Sequence, residues 1–278
     1  MRLRLAQYVG QIKSALSIEC AEMRSFMSKP IGEIRADFEA ASIDERKELY
    51  LLYENDERKG VINLIAKYRR EEEKLKAELC RLNVMKQFEI KYSEFQLIAG
   101  IDEAGRGPLA GPVVAGAVIL PKDCTILYLN DSKKLSAAKR DLLYDEIKNK
   151  AVAYGIGMAS PERIDEINIL QATFEAMHDA IDNMNKNPDM VLVDAVNIPH
   201  LSCKQVGIIK GDEKSVSIAA ASIMAKVTRD RIMEDMDKLY PEYGFSEHKG
   251  YGTKAHIETL KKYGACPIHR NTFIKKFV

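Results

Sequence analysis

Three short apolar runs, LIAGI, MVLV and VGIIKG, each end on an aspartate: Asp102, Asp194 and Asp212. Runs of this kind read as strands covered on both faces. An acid at the exit of such a strand is costly unless it is paired or holds a cation. If the three strands are neighbours with their ends on one side, the aspartates converge there. Glu103 joins them, because Gly105 and Gly107 let the chain bend directly after the Asp102–Glu103 pair. Like charges a few ångströms apart do not all ionise without a countercharge, and a pair of divalent cations is the usual one. Oxygen-only ligands select hard ions such as Mg2+ or Mn2+. The five histidines show no H-E-x-x-H spacing to suggest another metal. Two such ions, about 3.5–4 Å apart, would activate a water and stabilise the leaving oxygen of a phosphodiester hydrolysis. Asp131 in NDSKKLS and Asp230 in TRDR read instead as helix-cap or turn acids.

The runs around these acids set the fold class. FQLIAGID, PVVAGAVIL and VAYGIGMA are strand-like, and so are DMVLVDAV and CKQVGIIKGD. Between them SAAKRDLLYDEIKNK is helical, and Ser160 and Pro161 open a helix with an apolar stripe of Ile164, Ile167, Phe174, Met177 and Ile181. A long Ala-, Ile- and Met-rich helix follows from SIAAAS to DKLY. The order predicts an α/β domain over residues 95–278 with a mixed central sheet flanked by helices.

Residues 1–94 are predicted to form a helical extension. From Lys29 to about Lys91 the chain is charge-dense, with apolar residues recurring at three- and four-residue steps. Ser42 followed by Glu45 spells a capping box, and Gly60 is read as separating or ending helices. The tetrapeptide DERK occurs twice, but its surroundings do not repeat. EEEKLK reads as a solvated helix face.

A net charge of +1 carries no global signature of a polyanion partner, so any such binding must come from a local patch. From Lys204 onward basic residues outnumber acids, a bias that suits either a surface tracking a phosphate backbone or plain solubility. Five dispersed cysteines without a C-x-x-C pair argue against a disulfide framework or structural zinc, and point to a reducing cytoplasm. No signal peptide or membrane span is predicted.

The stretch GIDEAGRGPLAGPVVAGAVIL resembles type 2 ribonucleases H of the bacterial HII branch. The resemblance continues, in order, through NDSKKLS, GIGMASPERIDEINILQAT, VLVDA, KGDEKSVSIAAASIMAKVTRDRIM, HKGYGTKAH and HRNTF, and covers about residues 98–273. It implies a ribonuclease H-like fold and metal-dependent cleavage of RNA in RNA–DNA hybrids, or at single ribonucleotides in duplex DNA. Cleavage would fall 5′ to the ribonucleotide and leave 3′-OH and 5′-phosphate ends. The implied metal ligands are Asp102, Glu103, Asp194 and Asp212. Gly105, Arg106 and Gly107 would read the ribose 2′-OH, and Tyr251 would stack on the sugar beside the cut. Ser132, Lys133, Lys210, Ser215 and Ser222 are the implied phosphate contacts. The Arg between glycines is the HII rather than the HIII form of that loop, and Thr272 stands where the family commonly has Ser. For the extension three readings stay open: a grip on substrate, a surface for another protein, or a stabilising cap.

Overall fold

The computed structural model describes residues 29–278; Cys20 and the basic start of the chain lie outside them. The chain divides into two compact units that meet between Glu78 and Leu79. In the first, α1 (Ile31–Ala40), α2 (Ile43–Leu52) and the beginning of α3 (Lys59–Met85) bury Ile34, Phe38, Tyr53 and Val61. Phe38 stacks on Tyr68 with ring centroids 5.0 Å apart. The Ser42–Glu45 capping box is present and starts α2. Gly60 neither separates nor ends helices; it lies in the first turn of α3, where a Cβ would come within 2.5 Å of Ile31 Cδ1. The nearby atom is the tip of a flexible side chain, which can yield.

The spatial division falls before the compositional break at Ser93. Leu82 and Met85 at the end of α3 are buried in the core of the second unit, and Phe88 of α4 (Gln87–Lys91) and Tyr92 pack against another of its clusters. Apolar side chains therefore assign residues 79–94 to the second unit, although their charge density resembles the extension.

That unit is built on a five-stranded sheet of order β3-β2-β1-β4-β5. β1 (Ile98–Ala104), β2 (Val113–Ile119) and β3 (Ala153–Ala159) form an antiparallel meander, and β4 (Met190–Asp194) and β5 (Lys204–Ile208) add in parallel to β1. The mixed sheet and flanking helices agree with the sequence expectation. β1 and β4 occupy central positions and are nearly all buried, which explains their unbroken apolar runs. α5 (Ala137–Lys150) precedes β3, and α6 (Pro161–Asp182) follows it with Ser160 as its cap. The predicted stripe faces the core, but Asn168 (φ 70°) interrupts α6, and its side chain accepts from the Leu170 and Gln171 N–H groups. After β5 come α7 (Gly211–Lys214), α8 (Val216–Leu239), α9 (Phe245–His248), α10 (Lys254–Tyr263) and α11 (Asn271–Ile274). Cys80, Cys124, Cys203 and Cys266 are free thiols. No helix among the described residues is long and apolar enough to cross a membrane.

Two helices press on the sheet at glycines. A Cβ on Gly100 would lie 2.0 Å from the Ser217 carbonyl carbon of α8, and one on Gly157 would lie 2.1 Å from the Ala176 oxygen of α6. Backbone cannot yield as a flexible side chain can. Gly100→Ala is therefore expected to destabilise by about 3 kcal/mol or more, measured by denaturant unfolding; a loss below about 1 kcal/mol would mean that α8 lifts freely.

Candidate active site

Parallel pairing sets the site. Ile101 of β1 is in register with Val193 of β4, so Asp102 and Asp194 follow on adjacent strands one step later. Asp194 is in turn paired with Ile208, the last residue of β5. Beyond it the chain turns through Lys210 in the left-handed region (φ 56°) and starts α7, whose Gly211 N–H donates to Asp194 Oδ1 at 2.7 Å. That bond tethers Asp212 to the strand-end acids. Glu103 is next to Asp102, and its N–H donates to Asp102 Oδ1 at 2.8 Å.

Burial and repulsion leave these acids short of compensation. Asp102 is 5% exposed and Asp212 6%. Burial, then the charges of Glu103 and Asp194, hold the Asp102 carboxyl well above the usual range, against a hydrogen bond from Ser222. Burial also raises Glu103, although Arg106 lowers it, and Oε2 of Glu103 is buried with no partner. Asp212 is pushed up to about 6 by burial, then by Asp131 and Asp194. Lys133 is the facing cation: burial pulls its pKa down, but Asp131, Asp102, Asp212 and Asp194 more than offset that.

Among the described residues no three of these side chains stand as a closed ligand set. The donor chemistry still fits a hard divalent cation: all are carboxylate oxygens, one is orphaned, and ionising them together lacks countercharge. Other ligands would have to complete the ion's shell.

Other predicted residues divide by position. Ser132 and Ser222 are buried and hydrogen-bonded to each other at 3.0 Å, with Ser222 reaching Asp102. Arg106 lies 3.2 Å from Glu103 and is half-exposed. A Cβ on Gly107 would be 3.9 Å from Cε1 of Tyr251, which is 45% exposed, so the glycine loop and the tyrosine are neighbours. Lys210 is exposed on the turn leading to Asp212. Ser215 is placed differently. It is fully buried, accepts from Ile218 N–H as the cap of α8 and donates to Glu89 Oε1 at 2.6 Å, which leaves no surface toward a phosphate. Asp131 caps the 3-10 turn Ser132–Lys134 as expected, and also bears on Asp212. Asp230 is not a cap or turn acid; it sits within α8, paired with Lys226 at 2.6 Å and Arg140 at 3.6 Å.

Sequence reasoning missed Arg229 and Arg270, which are 1% and 0% exposed and bind the glycine loop from beneath. A signal existed for Arg229. It lies at helical spacing from Ser222, Ala225 and Met233, on the face of α8 that is buried.

Comparison with known proteins gives two family matches: the model described as ribonuclease HII over residues 99–276, and the ribonuclease HII N-terminal domain over residues 30–93. The chain is 58% identical to the ribonuclease HII of Lachnoclostridium phytofermentans over 223 residues, 80% of this chain and 88% of that protein. It is 51% identical to that of Clostridioides difficile over 252 residues, 90% and 99% of the two chains. Among solved structures, the ribonuclease H2 of Pyrococcus horikoshii aligns with a TM-score of 0.54 at 29% identity, covering 65% of this chain and 96% of that one.

Proposed function

The chain belongs to the ribonuclease HII family, hydrolases that act as endonucleases on RNA–DNA hybrids, and on that premise we propose that it cuts 5′ to a ribonucleotide, including a single one embedded in duplex DNA. The observation that carries this reading is the adjacency of two devices. Gly105–Gly107 and Tyr251 stand side by side, and Arg106 joins them to Glu103 at the acids. A sugar held by the first would bring its 5′ phosphate toward the second.

Asp102, Glu103, Asp194 and Asp212 would hold the divalent ions, Mg2+ or Mn2+. When bound, two ions supply Lewis acidity at the attacking and leaving oxygens of the phosphate. The chain's own residues do the rest. The backbone of residues 105–107 recognises the 2′-OH, which separates RNA from DNA at a given site. Tyr251 offers an exposed ring to the neighbouring sugar. Lys133 supplies positive charge beside the phosphate and limits repulsion among the acids. Lys210 is exposed to meet a flanking phosphate, whereas Ser132 and Ser222 orient Asp102. Water adds to phosphorus, the bond to the 3′ oxygen breaks, and the products are a 3′-OH and a 5′-phosphate.

Residues 30–93, matched as the family's N-terminal domain, are proposed to contact substrate or another protein. Nothing in the activity requires a membrane, and a cytoplasmic setting suits the free thiols.

The test is a duplex DNA carrying one ribonucleotide, incubated with the protein in Mg2+, in Mn2+ and in EDTA. The expected result is a cut 5′ to the ribonucleotide with either ion and none in EDTA. Cleavage 3′ to it, or cleavage in EDTA, would sink the reading.

A further inference from the structure

Arg229 and Arg270 present an unusual expense. Both are buried, and among the described residues neither forms an ion pair with a carboxylate. Burying an unpaired guanidinium is costly unless its donors are used. Here they go almost entirely to the carbonyls of one loop. Arg270 donates from Nη2 to Gly105 O at 2.6 Å, from Nη1 to Arg106 O at 3.0 Å, and from Nε to Gly111 O at 2.9 Å. Arg229 donates from Nε to Pro112 O at 2.9 Å, from Nη2 to Ala110 O at 3.1 Å, and from Nη1 to Lys249 O at 3.0 Å. Burial, and then Arg229, pushes the Arg270 pKa down to about 9, so the side chain stays charged at neutral pH.

These bonds fix directions as well as positions. In a trans peptide the C=O and the next N–H point opposite ways, and no peptide bond here is cis. With the Gly105 and Arg106 carbonyls held toward buried Arg270, the N–H groups of Arg106 and Gly107 point away from it. Both residues are exposed, and neither N–H has a partner among the described residues. Two successive free donors are thereby aimed outward beside Tyr251. Arg229 ties the same assembly to the tyrosine: its Cζ lies 5.9 Å from the Tyr251 ring centroid, and its bond to Lys249 O anchors the chain two residues before that ring.

We propose that Arg270, with Arg229, is a positioning residue that presents the Arg106 and Gly107 N–H groups to a sugar hydroxyl, and so sets the preference for ribose over deoxyribose. The inference rests on the proposed ribonucleotide-directed function and adds residues that do not themselves touch substrate. It also accounts for arginine rather than lysine. Only a planar fork of five donors can hold several carbonyls at fixed angles, whereas an ammonium is a point charge.

The test compares binding of two duplexes, one with a single ribonucleotide and one all-DNA, with Ca2+ replacing the working ion. Wild type is expected to prefer the ribonucleotide duplex. Arg270→Lys, kept below its own melting transition, is expected to lose that preference by tenfold or more while its affinity for the all-DNA duplex stays within twofold. General loosening would weaken both affinities together and leave their ratio unchanged, which overturns the proposal. If Arg270→Lys does not fold, amide exchange in wild type decides: peptides covering residues 105–107 should be slowed by the ribonucleotide duplex and not by the all-DNA duplex. Equal protection by both overturns it. A wild type that cuts nothing and shows no preference removes the functional reading itself, a different failure from a retained preference in Arg270→Lys.

Discussion

Asp102→Asn is expected to lower cleavage of a ribonucleotide-containing duplex by about 10³-fold or more, and at the same time to raise the melting temperature of the metal-free protein. The two effects share one cause. Asp102 is held well above the usual carboxylate range by burial and by Glu103 and Asp194, so its ionised form is a standing cost in the folded chain. Asparagine keeps the shape without the charge. The relief expected at such a site is roughly 0.5–2 kcal/mol, or on the order of 1–8 °C for a domain of this size.

The pH dependence has a definite sign. A raised folded pKa means that the folded chain binds the proton more tightly than the unfolded one. Wild type therefore loses stability as pH rises through that window, and the asparagine variant loses less, because only Glu103 and Asp212 still carry raised values there. For Asp212, whose carboxyl moves from 3.8 to about 6, the corresponding Asp212→Asn gap should open between those values and then stay constant. Mg2+ should stabilise wild type and do so much less in Asp102→Asn. Differential scanning across pH 4–8, with and without Mg2+, reads all of this. A variant that is less stable than wild type at pH 8 without metal would show that Asp102 is an ordinary structural acid.

What was legible in the sequence followed from local rules. An apolar run that stops on an acid is visible without any partner, which is why Asp102, Asp194 and Asp212 stood out. Parallel register then brought Asp102 and Asp194 to one edge, whereas Asp212 does not end a strand: β5 stops at Ile208, and a left-handed turn at Lys210 and the Gly211 bond to Asp194 bring Asp212 there on α7. The Ser42–Glu45 box spans three residues and is equally local. Groups whose meaning depends on distant chain were not legible. Arg229 bonds carbonyls 117 and 119 residues away, and Arg270 reaches back 165 residues to Gly105. Arg270 would pass for a surface charge, and the helical spacing of Arg229 announces its burial but not the carbonyls it binds. Ser215 sat in a family-like motif, but its hydroxyl is committed to a helix cap and to Glu89, 126 residues earlier in the chain. Gly60 looked like punctuation because nothing nearby in sequence announced Ile31.

The fate of residues 79–94 yields the second large effect. A chain beginning at Leu79 is expected to keep the fold and cutting of the α/β unit, whereas one beginning at residue 95 is expected to melt more than about 10 °C lower. The shorter chain loses Leu82 and Met85, each 3% exposed, which are worth about 2 kcal/mol apiece. It also loses the packing of Phe88 and Tyr92 and the Arg81 bond to Leu129 O at 2.6 Å. Removing Glu89 strips an acceptor from Ser215 Oγ and from Ser217 N–H at the start of α8. A carboxylate there serves both the free N–H groups and the helix dipole, at about 1–2 kcal/mol. Together these exceed about 5 kcal/mol, a large share of a domain's usual 5–15 kcal/mol. α8 also carries Ser222 to Asp102, so the loss reaches the acids as well as the core. Melting and hybrid affinity of both truncations separate the roles of the extension. Equal melting temperatures would overturn the assignment of residues 79–94 to the catalytic unit. Weaker hybrid binding at unchanged melting temperature in the chain beginning at Leu79 would make residues 1–78 a grip on substrate, a lower melting temperature at unchanged binding would make them a stabilising cap, and no change in binding, cleavage or melting would leave them without a role in hydrolysis.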